Sequence, residues 1–449
     1  MGGSSVLETF VRRRHGGGMP SVLKNATLLL LSRTIVRGHA LLGDPAARLL
    51  GMSPTRDPYP DYESVRERGP VVKSKMGLYL TASHELCDSL LRDPGFGQLA
   101  AGELSPIDSV AHIGPRRLVN PVEDSFLMLN PPDHTRLRRL VSPWFTPRGL
   151  RDQVATVERV VEEYLDEVAG RPTFDLVGDF AARVPIQVIA DLLGVPDADH
   201  AAFARWGSAL VNALDGVRDL KELRALHNGL REFEEFLDGL IDHRRRHPGD
   251  DVVSRLVANE DLRREDLIAT TELLLVAGFE TTVNLIGNAV LAVLAHPEVR
   301  ERLLDDPGCA EAVVEETLRL DPPVQYTVRT PFETTEVAGT SVPRGTPIML
   351  LLAGANRDPA VFADPHRFRP GRPDGREHLA FSAGIHYCLG ANLARMEGAA
   401  ALRGLFRRFP DLRAAGRVRR RPSRVIRGPE RFPVSTGAAE NRPMVEIIS

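Results

Sequence analysis

Apolar positions recur at helical spacing along most of this chain, three or four residues apart, with polar residues between them. The pattern predicts helices over 57–68, 83–92, 132–144, 148–169, 184–193, 199–213, 222–247, 265–295, 297–304, 309–320 and 388–409. The segment 265–295 is apolar on most faces, as expected of a helix in the middle of a large core. At ~1.5 Å per residue it crosses the whole molecule. Strand signals are fewer: 71–80, 326–337 and 347–351 alternate or are β-rich and are bounded by Pro and Gly. The expectation is a mainly α fold with a minor β region. No tandem repeat or interdomain linker is evident, and the basic, Pro-containing stretch 416–431 reads as a solvated loop and terminal hairpin.

With 449 residues, 43% hydrophobic and 26% charged, the chain has material for a large buried core. Length alone would suggest about three domains at ~150 residues each. A formal net charge of -3 offers no global attraction to nucleic acid or anionic lipid. Three cysteines do not make a disulfide framework, which fits an intracellular, cytoplasmic enzyme. Near the N-terminus, Arg12, Arg13 and Arg14 followed by Leu28 to Leu31 imitate a signal sequence. The apolar run is short and broken by Arg33, well below the ~20 residues that span a bilayer, so no transmembrane segment is expected. Residues 1–20 read as a disordered or loosely packed extension, and 21–50 as a segment open to a weak amphipathic surface contact.

The chemistry concentrates in Phe381-Ser382-Ala383-Gly384-Ile385-His386-Tyr387-Cys388-Leu389-Gly390, one cysteine on a glycine-bracketed loop that runs into a helix. A thiolate is the ligand form of cysteine, and a free thiol of pKa ~8.5 is mostly protonated at neutral pH. Placing Cys388 at a helix N-terminus would favour the anion through unpaired amides and the macrodipole. Gly384 and Gly390 would let backbone approach a flat macrocycle or adopt a conformation closed to other residues. Phe381 would shield the sulfur. These features point to a haem-iron ligand site. Cys87 and Cys309 have no Cys or His at zinc-ligand spacing and read as structural.

The loop closely resembles the haem-binding loop of the cytochrome P-450 family, with Ser382 where Gly is more common. Three further motifs follow the family's order. Ala277-Gly278-Phe279-Glu280-Thr281-Thr282 resembles the family's oxygen-binding helix, which implies Glu280 as its acid and Thr281 as its alcohol, delivering protons to dioxygen. Independently of the family, such a threonine can turn its hydroxyl back onto a carbonyl of the preceding turn. Glu316-Thr317-Leu318-Arg319 matches a Glu-x-x-Arg signature whose third partner corresponds to Arg367. His134 and Arg138 lie four apart on one helix face, and with Arg329 and His386 they resemble the residues that bind haem propionates.

The resemblance covers the chain from about Asp57 onward. It implies the cytochrome P-450 fold, an N-terminal extension (1–50), one haem domain (51–449) and haem b ligated by Cys388. The implied reaction is a monooxygenase's: one atom of O2 enters an apolar small-molecule substrate, with electrons from a separate ferredoxin and NAD(P)H-dependent reductase. A peroxide-driven haem oxygenase of the same fold and a non-catalytic module that recruits a carrier protein are the alternatives. No nucleic-acid partner is expected. Arg395, Arg403, Arg407 and Arg408, with Arg136 and Arg139, are expected to place positive charge around the thiolate face and steer an acidic donor. Substrate contacts are expected at 95–121, 195–220, Leu273, Ala277 and 324–328.

Overall fold

A 32-residue helix, Arg264–Ala295, is buried along most of its length, with Ile268, Ala269, Ile286, Ala289, Val290 and Val293 fully inaccessible. Helices enclose it on every side: Arg183–Leu193, Ala391–Arg408, Ala310–Leu320, His200–Leu214 and Leu220–Arg246 all pack on it. That enclosure explains its sequence. A helix buried over most of its length needs no polar stripe, and one this apolar reaches membrane-spanning length and composition while serving as core. The coordinates are a computed structural model that describes residues 34, 36–98, 117–195, 199–215 and 219–437. The expected segment 1–20 lies outside the described residues.

Small sheets border the helical body. Five strands run in the order Val72–Lys73, Tyr79–Thr81, Ile348–Leu350, Thr327–Pro331, Phe96–Gly97, with Tyr79–Thr81 parallel to Ile348–Leu350 and the other pairings antiparallel. Two of the expected strands are broken. The segment 71–80 is a hairpin, closed by the Ser74 amide donating to Leu78 O at 2.9 Å and by Gly77 at φ +88°, a conformation glycine adopts freely. The segment 326–337 divides after Pro331: Phe332 N still extends the pairing with the Phe96–Gly97 strand by bonding Gly95 O at 2.9 Å, and Thr335–Val337 then pairs with Thr340–Val342 in a separate hairpin. The helix expected from residue 388 starts at Ala391, with Gly390 as its N-cap.

The Glu316–Arg319 pair is buried, with side-chain exposures of 1% and 0%. Two parallel bonds of 2.8 Å join the guanidinium to the carboxylate. The same guanidinium donates to the carbonyls of Asn356, Pro365 and Arg367. The expected third side chain is corrected here. Arg367 is exposed and lends only its backbone oxygen, whereas Arg372, 2% exposed in its side chain, places Nε 3.4 Å from Glu316 Oε2. The turn through Pro370 and Gly371 (φ +84°) brings Arg372 back under the helix, a path that motif spacing does not reveal. The donors of Arg319 are each aimed at an acceptor, whereas Nε and Nη1 of Arg372 make only longer ion-pair contacts.

The tail is also corrected. Arg419–Arg420 and Pro429–Arg431 do form a hairpin, but its arginines are not simply solvated. Arg421 and Arg427 are 8% and 9% exposed and pair with Glu280 and Asp321 at 3.0 Å each.

Breaking the buried pair by Glu316→Ala strands two guanidinium groups and should cost ~3–5 kcal/mol of unfolding free energy. Arg367→Ala should fall within ~0.5 kcal/mol of wild type, as for an exposed side chain. Urea unfolding of both variants checks this. Equal losses would restore Arg367 to the network.

Candidate functional site

The cysteine loop is built by backbone closure. Cys388 N donates to Phe381 O at 2.8 Å, pinning the two ends of the loop together and bringing the buried Phe381 beside the sulfur-bearing residue. The Arg395 guanidinium lies 4.5 Å from the Phe381 ring centroid. Gly384 is at φ +65°, and a Cβ there would sit 2.3 Å from Leu91 O, so a side chain is excluded by conformation and by contact. Gly390 has an ordinary φ of -85°, and a Cβ on it would touch nothing within 4 Å. Ser382, standing where the resembled loop has Gly more often, holds φ +61°. That left-handed conformation explains the usual glycine, and a non-glycine residue there is strained.

The expected electrostatic support for the Cys388 thiolate is only partly present. With the helix starting at Ala391, the Gly390 amide bonds toward the sulfur and Arg138 and Arg395 add positive potential. Burial outweighs all three and pushes the Cys388 thiol above its ordinary value. The helix terminus therefore does not make the thiolate by itself. A bound metal cation would, because a coordinating thiol is deprotonated outright.

Beside the sulfur, four basic residues converge without an acid. His134 and His386 lie with ring centroids 4.4 Å apart. Neither ring nitrogen of the buried His134 has a partner, nor does Nε2 of His386. Arg329, 2% exposed, bonds only Thr327 Oγ1 (3.4 Å) and its neighbour's carbonyl, Val328 O (2.9 Å). Arg138 donates to Tyr387 O. Among the described residues, neither arginine has an ion-pair partner. Burial pulls Arg329 down to about 10. Burial, reinforced by Arg329, His134 and Arg138, pulls His386 down to about 3. Burial and the neighbouring cations likewise lower His134. Such a cluster suits an anion with two carboxylates. Together with a thiol that needs a metal, these donors fit an iron porphyrin.

On the central helix, Ala277 is exposed and Gly278 and Thr281 are half-buried, although the turns before and after them are buried. Between its ends the helix is thus accessible at this window, on the side of Ala277, Gly278 and Thr281. Thr281 Oγ1 donates to Ala277 O at 3.1 Å and Thr282 Oγ1 to Gly278 O at 3.4 Å, the back-bonding its sequence suggests. Glu280 does not share the window. It is 4% exposed and ion-paired to Arg421 at 3.0 Å, and Cβ atoms built on Gly207 of the neighbouring helix would lie 2.7 Å from Glu280 Oε1 and 2.4 Å from the Phe279 ring. Phe279 thus points toward that helix, away from the window. Leu273 is buried and Val324 half-buried, while part of the expected substrate region, 99–116, 196–198 and 216–218, lies outside the described residues.

Several functional contacts escape motif reading. Glu315, next to the Glu316 signature residue, takes bonds from His378 Nε2 (3.1 Å) and from Arg395. Arg395 also donates to Tyr387 Oη at 3.3 Å, so the network supports the cysteine loop from below. The positive charge expected around the thiolate face is largely neutralised. Arg395, Arg403, Arg407, Arg408 and Arg136 are each ion-paired, to Glu315, Glu311, Glu162, Glu162 with Asp166, and Asp266. Of the six, only Arg139 has no ion pair among the described residues. The loop's exposed side chains are instead Ile385 and Tyr387, at 51% and 42%.

The family model described as cytochrome P-450 matches residues 309–420. The putative cytochrome P-450 140 of Mycobacterium tuberculosis is 40% identical over 435 residues, covering 93% of this chain and 99% of the relative. The cytochrome P-450 monooxygenase PikC of Streptomyces venezuelae is 36% identical, covering 86% and 92%. Among solved structures, P-450 BioI in complex with an acyl carrier protein ligated to hexadec-9Z-enoic acid matches with a TM-score of 0.78 at 33% identity, covering 84% of this chain and 98% of that one.

The loop's support has a pH signature. Burial opposes ionisation of Glu315, but bonds from His378 and Arg395 prevail and bring it from 4.5 to about 2. A carboxyl whose folded pKa is depressed contributes stability that is full above about 4.5 and is lost as pH falls toward about 2. Glu315→Gln should remove roughly 2–3 kcal/mol of stability at neutral pH and flatten this part of the acid-unfolding curve. An unchanged slope between pH 4.5 and 2 in the variant would show that Glu315 is not held this way.

Proposed function

The chain belongs to the cytochrome P-450 family, a haem b-dependent monooxygenase, and on that premise we propose that Cys388 supplies the axial thiolate while Thr281 and Glu280 manage protons for oxygen insertion into an apolar organic molecule. The observation that carries this reading is the convergence of an acid-free basic cluster on the Cys388 loop, and the exposed stretch at Ala277 and Thr281 in an otherwise buried helix supports it. When bound, the haem supplies activation of dioxygen, one atom going to substrate and the other to water with two electrons.

His134, Arg138, Arg329 and His386 would take the two propionates, whose carboxylates would supply the acceptors and counter-charge that the two arginines and the unpartnered imidazoles lack. Phe381, covered by Arg395, would keep water from the sulfur, and Ala277 would leave room at the window. Thr281, its hydroxyl proton donated to Ala277 O, presents its oxygen as an acceptor at the window and would release that bond to donate. Glu280 is a proton carrier held in reserve. Burial raises it above its ordinary value and Arg421 pulls it back, so it titrates closer to neutrality than a free glutamate. To reach the window its carboxylate must leave Arg421.

For substrate, Leu273, Ala277 and Val324 favour apolar contact. The relatives include proteins named 6-deoxyerythronolide B hydroxylase and vitamin D(3) 25-hydroxylase, which supports a bulky, mostly hydrocarbon molecule. A ferredoxin-type donor, itself reduced by an NAD(P)H-dependent reductase, would dock on the Cys388 loop through Ile385 and Tyr387, with Arg139 nearby as free charge.

Thr281→Ala tests the proton assignment. The variant should bind substrate and accept electrons nearly as wild type does, yet divert much of its NAD(P)H consumption to hydrogen peroxide. Glu280→Gln should slow turnover by roughly 10²-fold or more with less diversion. Consumption, peroxide and product must be measured together. Unchanged coupling in Thr281→Ala would reject its role.

A further inference from the structure

We propose that Leu41, Leu42 and the cations around them form a docking surface for an anionic lipid bilayer, resting the enzyme on a membrane without spanning it. Residues 36–41 are helical, and the helix ends on Leu41 and Leu42, which at 89% and 72% are the most exposed large hydrophobic side chains among the described residues. Just after them, Asp44 is turned inward. Its carboxylate accepts from Ala47 N, Ser74 Oγ and Lys75 N, which fastens the hairpin carrying Lys73 and Lys75 beside the leucines. Arg68 reaches over to Gly43 O at 3.3 Å, and Arg37 stands one turn before Leu41.

These four cations are exposed, and none is ion-paired among the described residues, unlike the arginines of the Cys388 face. The charge of the whole chain is divided the same way. Residues 1–43 contain six Arg or Lys and one acid, Glu8, a net of +5, so against a total of -3 the remainder carries -8. The same segment contains Leu28 to Leu31.

Exposed leucines partition into the acyl boundary while lysine and arginine stems extend to the phosphates. Each basic residue near an anionic surface multiplies partitioning roughly fivefold at moderate salt. A second copy of this chain is a poorer occupant, since a two-fold contact would set the cationic rims against each other.

The test is flotation of the full-length, haem-loaded enzyme with vesicles of phosphatidylcholine plus phosphatidylglycerol, or of phosphatidylcholine alone. Wild type should float with the anionic vesicles and be released as salt rises. Lys73→Gln with Lys75→Gln should cut partitioning roughly twenty- to thirtyfold, and Leu41→Glu with Leu42→Glu should abolish it. An unchanged carbon monoxide spectrum and melting midpoint would show that both variants fold. Absence of flotation by wild type, salt-insensitive flotation with neutral vesicles, or full binding by the leucine variant would overturn the proposal. So would a dimer that disappears in the leucine variant while wild type fails to float, which would give the patch to a second copy.

Discussion

Positive charge gathered in the interior without an acid is the constraint on which the site depends. Elsewhere in the core this protein pairs its cations carefully: Arg319 with Glu316, Arg427 with Asp321, Arg421 with Glu280. At the Cys388 loop the rule is reversed, and His134, Arg138, Arg329 and His386 face one another and a thiol that burial keeps protonated. Desolvated charges of one sign are costly, and the cost is relieved by a ligand that brings two carboxylates and a metal. Binding to the folded state alone then becomes folding free energy. The bound cofactor would then contribute to the stability of the core as its apolar side chains do.

The rest of the fold keeps those groups in place. The Glu316 network locks the backbone at Asn356, Pro365 and Arg367, and Glu315 one residue earlier reaches Arg395 and so Tyr387 beside the cysteine. One helix thus serves a structural network with one carboxylate and the ligand loop with the next. The central helix separates its two polar residues in the same way, with Thr281 at the window and Glu280 sealed against Arg421. That separation keeps the Glu280 carboxylate away from the accessible side of the helix.

Much of this was legible in sequence, because periodicity and short-range spacing report local geometry directly. The central helix appeared within one residue of its observed bounds, and the back-bonding of Thr281 follows from one residue type on one helix face. The interior partners of surface-looking arginines were not legible. Arg372 replaces Arg367 because a proline–glycine turn reverses the chain between them, and Arg421 leaves a basic tail to meet Glu280, 141 positions earlier in the numbering. Motif spacing carries no information about contacts made by tertiary folding. The thiolate argument is incomplete for a related reason. A helix terminus can be read from sequence, but the burial that outweighs it cannot.

The central claim is that Cys388 is the iron's axial ligand, and it is tested most directly by the spectrum of the reduced, carbon monoxide-bound protein. Wild type should show the strongly red-shifted Soret band of a thiolate-ligated haem. Cys388→Ser should lose that band even if haem is retained. Persistence of the band in the Cys388→Ser protein would contradict the assignment and the account built on it.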